Sequence, residues 1–249
     1  MKSENIIEEL LPQVRNEFLS RMTRGNGHLL REVEEFVTSR MGKMLRPQLT
    51  LLAADTLGQA SSRRTILLAT AVEMLHNASL LHDDVIDHDD TRRGQPSVNA
   101  RWNNSVAVLV GDFLLSQVMR ILHEVGESDT SQRICQTVEA MVEAELLQME
   151  MTGALSNKVT GKPSYPASQS PSYPDTYLRI IDGKTARLFA TACALGNPDY
   201  EEFGLHYGRL FQLRDDLADG EANEYTEDLI LQEKNILSAI NPKLPVLIN

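Results

Sequence analysis

Residues 63–87 read as one long helix that is apolar almost all the way round, interrupted only by Glu73, His76 and a terminal knot of acids. A helix with no broad polar face has to be surrounded by other elements, and the rest of the chain supplies helices for that purpose. Ile6, Ile7, Leu10, Leu11, Val14 and Phe18 recur at helical spacing after Ser3, which is placed to cap them. Beyond Gly25 and Gly27 a second set follows in Leu29, Leu30, Val33, Phe36 and Val37. Pro47 suits the first turn of a third helix. Lys43 and Arg46 then stand at its N-terminus, where unpaired N–H groups favour anions. Further helices are expected over Trp102–Val125, from Ser128 to about Leu155, and over Tyr177–Leu195. Asp199, with Glu202 three residues on, makes a capping box for the helix that ends in GRLFQLRDDLADGE. No alternating strand of convincing length and no short-period repeat is found. The expectation is all-α: a single-domain helical bundle over residues 1–249 with a central apolar cavity. Residues 156–174, with four prolines, read as a mobile surface loop, because helical patterning resumes at once after them.

A net charge of −11 argues against general binding to nucleic acid or to an anionic membrane surface. No apolar run approaches the ~20 residues needed to span a bilayer, so an integral membrane protein is not expected. The N-terminal MKSENIIEELLPQV is acidic and amphipathic, unlike a signal peptide. The two cysteines, Cys135 and Cys193, stand far apart in apolar helical contexts and read as buried free thiols. Together these features point to the cytoplasm.

The acids at the end of the long helix carry the chemistry. Asp83 and Asp87 are four apart, and Asp84 and Asp87 three apart, which puts their carboxylates on one helical face. Crowded there they repel one another unless a cation lies between them. Mg²⁺ suits such oxygen ligands and characteristically bridges a few carboxylates to phosphate. Arg92 and Arg93, just beyond, suit phosphate recognition. Asp215, Asp216 and Asp219 repeat the spacing at the end of another apolar helix. One such triplet is as readily a solvated acidic tip. Two copies, both opposing the helix macrodipole, mark a functional site. If the two helices lie side by side, the substrate inferred is an amphiphile with a diphosphate head and an apolar tail.

With these motifs in place the sequence resembles the trans-isoprenyl diphosphate synthases, the polyprenyl synthetase family. The matching stretches are GKMLRP (42–47), EMLHNASLLHDDVID with RRG (73–94), GDFLLS (111–116), GKTARLF (183–189) and FQLRDDLAD (211–219), in the family's order. The resemblance implies the isoprenoid synthase fold. It implies an enzyme joining isopentenyl diphosphate to an allylic diphosphate, with Mg²⁺ assisting ionisation, to give a longer all-trans product. Asp83, Asp84, Asp87, Asp215, Asp216 and Asp219 would hold the metal. Arg92 and Lys184 would touch the allylic diphosphate, and Thr185 and Gln212 would line the path of the nascent cation. Lys43, Arg46, His76 and Arg93 would grip isopentenyl diphosphate. For His76 this displaces the blander reading of a satisfied core group. Ala78 and Ser79, small residues one turn below Asp83, with Leu75 a further turn down, would leave room for a product beyond C15, of long rather than C20 length. A homodimer is also implied.

The chain departs from the family after the second acid triplet. Relatives continue with a GK…DxxxGKxTLP stretch and more helices, whereas here DGEANEYTEDLILQEKNILSAI follows and the chain stops soon after. Lys234 is the candidate for a diphosphate contact from that region. Two rival readings compete with this one. A terpene cyclase needs Ser or Thr four residues, and Glu eight residues, after the first acid of its second motif; counted from Asp215 those positions hold Asp219 and Asn223. A non-catalytic or partner-dependent subunit of a heteromeric synthase has only the short C-terminus in its favour.

Overall fold

The longest helices explain the rest of the architecture. In a computed structural model describing residues 3–23, 27–92, 94–151, 175–220 and 225–240, the expected apolar segments are helices and the fold is all-α. The chain divides into two compact units, 1–128 and 129–249. Arg93, the 156–174 segment and residues 241–249 lie outside the described residues.

The first unit is built on α4 (Arg63–Ile86), whose 24 residues start where Ser62 accepts a hydrogen bond from the Thr65 amide at 3.1 Å. Its body from Thr65 to Leu75 is buried on every side, as its missing polar face requires. α1 (Ser3–Met22), α3 (Leu45–Asp55) and α6 (Asn104–Val125) cover it. α1 contributes Ile6, Leu10, Val14, Phe18 and Met22, all buried, and each such side chain adds roughly 1.5–3 kcal/mol. Arg21, wholly buried, is neutralised by Glu17 at 2.7 Å and Glu124 at 2.6 Å, tying α1 to the end of α6. α2 (His28–Thr38) presents Val33, Phe36 and Val37 to the interior.

Several local expectations are corrected. Residues 88–100 were expected to be plain loop; they hold an antiparallel pair of two-residue strands, β1 (Thr91–Arg92) and β2 (Gln95–Pro96), and a short helix α5 (Val98–Arg101). The helix expected from Trp102 starts at Asn104, because Asn103 caps it through a 2.9 Å bond from the Val106 amide. α6, at 22 residues, is long and apolar enough by composition to cross a membrane, contrary to the sequence expectation. Here one side of it packs along α4, while Leu109 and Met119 stay exposed.

The second unit begins with α7 (Ser128–Met151) and continues through α8 (Asp175–Ile181), α9 (Arg187–Gly196), α10 (Glu201–Asp219) and α11 (Thr226–Ile240). The helix expected unbroken over Tyr177–Leu195 is divided by a π-turn, Asp182–Ala186. Asn197, not Asp199, does the capping ahead of α10: its side chain accepts from the Asp199 amide at 3.1 Å and opens a 3₁₀ turn, Pro198–Tyr200. α10 runs against α9 around Phe189, Phe203, Tyr207 and Leu210. Cys193 is buried and its thiol is pushed far up by desolvation, as expected of a core thiol, but Cys135 is exposed on α7.

Candidate active site

The first acid triplet sits where α4 ends. Asp84 is 3% exposed, Asp83 half-buried, and Asp87 is the exposed C-cap, its amide bonded to the Asp83 carbonyl at 2.8 Å. The chain then turns sharply through His88 in a left-handed conformation (φ 58°), which suits His better than most side chains. Asn99 ties the turn back by donating to the carbonyls of Asp84 (3.1 Å) and Asp89 (3.0 Å). β1 then brings Arg92 onto Asp84, with Nε and Nη2 each 2.6 Å from Oδ1. Burial pushes the Asp84 carboxyl up, Arg92 opposes that, and Asp89 and Asp87 add to the rise. Burial is thus the main reason the carboxyl is raised, with the neighbouring acids a smaller contribution.

A cavity of about 260 Å³ opens beside this pair, lined by Phe36, Leu80, Leu81 and Val98 among others, with Asp84 and Arg92 at its polar side. Arg40 stacks over the Phe36 ring at 3.4 Å from its centroid and donates to the Pro96 carbonyl at 2.9 Å, joining the end of α2 to β2. Leu75, Ala78 and Ser79 do not line this cavity; Leu75 and Ala78 are buried and Ser79 is half-buried. Lys43 is exposed just ahead of α3, Arg46 is buried in that helix's first turn, and His76 is half-buried on α4. Between Lys43 and Arg46, Met44 adopts a left-handed conformation (φ 52°), a local strain of the kind that collects at ligand sites.

The second triplet ends α10. Asp216 is 9% exposed, while Asp215 and Asp219 are exposed. Asp216 accepts from Gln212 Nε2 at 2.7 Å and, in a short bond, from the Tyr177 hydroxyl. Gln212 in turn accepts from Thr185 Oγ1 at 2.8 Å, so three predicted residues form one hydrogen-bonded chain. Lys184 lies in the same π-turn as Thr185 and reaches α7, with Nζ 2.6 Å from Glu145 Oε2 and 2.8 Å from Gln148 Oε1. Glu145 and Gln148 are polar interruptions of the α7 pattern, visible in the sequence but without an assigned task. Tyr177 was missed, since nothing in its spacing sets it apart. Lys234 is exposed on α11.

Among the described residues, no three His, Cys, Asp or Glu side chains are gathered as a ready metal cage. The donor set nonetheless fits a hard divalent cation. It is all carboxylate, with Asp83 and Asp87 on either side of buried Asp84 at one helix end. Mg²⁺ commonly uses one or two carboxylates together with substrate phosphates rather than a complete protein cage.

An all-α scaffold whose acid-rich helix ends are each served by nearby donors or cations belongs to the class of helical proteins suited to a metal-bound phosphate. The polyprenyl synthetase family matches residues 28–233, and this chain belongs to it. It is 36% identical over 235 residues to the all-trans-nonaprenyl-diphosphate synthase (geranyl-diphosphate specific) of Rhodobacter capsulatus, covering 88% of this chain and 65% of that one. It is 35% identical over 216 residues to the heptaprenyl diphosphate synthase component 2 of Geobacillus stearothermophilus, covering 83% and 62%. The fold is similar to the polyprenyl synthase of Caulobacter crescentus CB15 complexed with calcium and isoprenyl diphosphate, with a TM-score of 0.74 at 29% identity over 89% of this chain and 66% of that one. The chain thus spans a little under two thirds of the length of these proteins.

Proposed function

We propose that the chain is a prenyltransferase that condenses isopentenyl diphosphate with an allylic diphosphate, giving a longer all-trans polyprenyl diphosphate and releasing diphosphate. The observation that carries this reading is Arg92 held on buried Asp84 at a helix end that also carries Asp83 and Asp87. Membership of the polyprenyl synthetase family and relatives that bear prenyl diphosphate synthase names support it.

In this reading Asp83, Asp84 and Asp87, with Asp215, Asp216 and Asp219, supply carboxylates for Mg²⁺ on the allylic diphosphate. Bound Mg²⁺ would stabilise negative charge on the departing diphosphate as the carbon–oxygen bond breaks. Arg92 and Lys184 exchange their present carboxylate partners for diphosphate oxygens. Thr185 and Gln212 present oxygens along the path of the allylic cation. The double bond of isopentenyl diphosphate attacks that cation, and a proton is lost to the released diphosphate. Lys43, Arg46, His76 and Arg93 hold isopentenyl diphosphate. The small side chains of Ala78 and Ser79, with aliphatic Leu75 a turn further down, favour a product longer than C15 and of long rather than C20 length, in keeping with a nonaprenyl-named relative. The remaining parts of the reading are a cytoplasmic location, a homodimer, for which family membership is the support, and the lack of a nucleic-acid partner, for which the charge of −11 is the support.

The test is incubation with labelled isopentenyl diphosphate, an allylic primer and Mg²⁺, with products sized by chromatography. Turnover that Asp83→Ala abolishes without unfolding supports the reading. A second reading, a partner-dependent subunit, draws on the relative named as component 2; it is favoured if turnover occurs only with a second chain present.

A further inference from the structure

Lys184 and Thr185 both project from the π-turn Asp182–Ala186, and Arg209, which pins the start of that turn, lies outside the matching stretches. A π-turn carries one residue more than the helix around it needs, so its neighbours must hold it in place. At its end, Gly208 of α10 lies so close that a Cβ there would be 2.5 Å from Ala186 Cα. In its middle, Gly183 is pressed on α7, where a Cβ would stand 2.3 Å from Ala144 Cβ and 2.6 Å from the Ala140 carbonyl oxygen. At its start, Asp182 is held by a two-pronged pair with Arg209 of α10, Nε to Oδ1 at 2.5 Å and Nη2 to Oδ2 at 2.7 Å.

Arg209 is itself held. Glu233 of α11, 4% exposed, places one oxygen 3.5 Å from Arg209 Nη1 and the other 2.5 Å from His206 Nδ1. α11 lies in the stretch where the sequence departs from the family pattern, so this segment reaches the reactive side of the unit through Glu233 and Arg209. The apolar contacts of Phe189, Phe203, Tyr207, Leu210 and Leu213 already join α9 to α10. The ion pair is therefore not what makes these helices pack, and its distinctive effect falls on the turn.

We infer that Arg209 is a positioning residue: braced by Glu233, it clamps Asp182 and so fixes Lys184 and Thr185 for a prenyl diphosphate. This rests on the proposed function, in which Lys184 touches the diphosphate.

The test is calorimetric titration of the full chain with Mg²⁺ and a sulfur-bridged allylic diphosphate analogue that resists ionisation. Melting curves are recorded for each variant. Arg209→Met is expected to weaken binding about tenfold, with Arg209→Lys recovering part of the loss and Glu233→Gln reproducing part of it. In a Lys184→Ala background, Arg209→Met should add almost nothing, which a general loss of structure would not produce. Hydrogen exchange in the ligand-free chain should show Arg209→Met losing protection at the amides of 182–187 and not elsewhere. Wild-type affinity in Arg209→Met, or losses that multiply in the double variant, would overturn the inference while leaving the site reading intact. A wild-type chain that binds no analogue would overturn the site reading, and the inference with it.

Discussion

Arg92 and Asp84 meet through a single carboxylate oxygen, with Nε and Nη2 both 2.6 Å from Oδ1. The second oxygen of Asp84 is thereby left to other partners, which suits a carboxylate that shares a ligand with its own arginine. Asp84 is nearly all buried while the Arg92 side chain is 34% exposed, so the arginine is the member that can swing away.

Removing that arginine tests the coupling. Arg92→Met leaves a buried carboxylate without its cation, at a cost of about 3 kcal/mol. Asp84→Asn/Arg92→Met should recover much of it. Urea unfolding at pH 7 in the presence of a chelator measures both. The penalty should shrink toward pH 5, because Arg92 holds the Asp84 carboxyl down and its loss lets protonation neutralise the group earlier. Equal stability of the single and double variants would show that the two are uncoupled.

Tyr177 supplies a hydroxyl donor to Asp216, whose other oxygen is taken by Gln212. Tyr177→Phe removes that donor without changing ring volume and leaves the Asp216 carboxylate held through Oδ1 by Gln212. We expect kcat/KM to fall about tenfold, the equivalent of one hydrogen bond, with an increased Mg²⁺ requirement. Steady-state kinetics at several Mg²⁺ concentrations decide it, and unchanged values would remove Tyr177 from the site.

The apolar period of α1 was readable because burial imposes it on every turn, α4 was readable as an almost unbroken apolar run, and the two acid triplets stood out because they end apolar helices. Pairing was not readable. Arg92 lies eight residues beyond Asp84, and only the left-handed turn at His88 and the short β-ribbon bring them together. The π-turn was hidden for a related reason: DGKTA continues a helical pattern, and the extra residue reveals itself only through Gly183 on α7 and Asp182 on Arg209. Cys135 shows the converse error, an apolar context in sequence that the fold leaves at the surface.

Glu34 gives the chain a pH dependence of its own. It is 4% exposed on α2, with Oε1 buried and lacking a hydrogen-bond partner. Burial raises its carboxyl to about 7, with Glu35 adding and Arg31 opposing. A carboxyl raised on folding stabilises the native state while protonated, so that contribution is full below the unfolded value near 4.5 and is lost as pH rises through about 7. Wild type should therefore melt lower at pH 8 than at pH 5.5, by about 2 kcal/mol of stability. Glu34→Gln should flatten the profile. Parallel melting curves for the two proteins that keep the same pH slope would contradict this.

Ser79 and Ala78 separate product length from packing. Both were candidates for the wall below Asp83, but their surroundings differ: Ala78 is fully buried, whereas Ser79 is half-buried with its hydroxyl on the His76 carbonyl at 2.9 Å. An aromatic ring at 78 has to displace packed neighbours, at roughly 1–3 kcal/mol, while at 79 part of the ring can occupy open space. Ser79→Phe should accordingly retain a wild-type melting temperature and shift products toward shorter chains. Ala78→Phe should lower the melting temperature whatever it does to product length. Chromatography of the products beside thermal melts reads both at once. A stable Ser79→Phe protein with the wild-type product distribution would place the chain-length wall elsewhere.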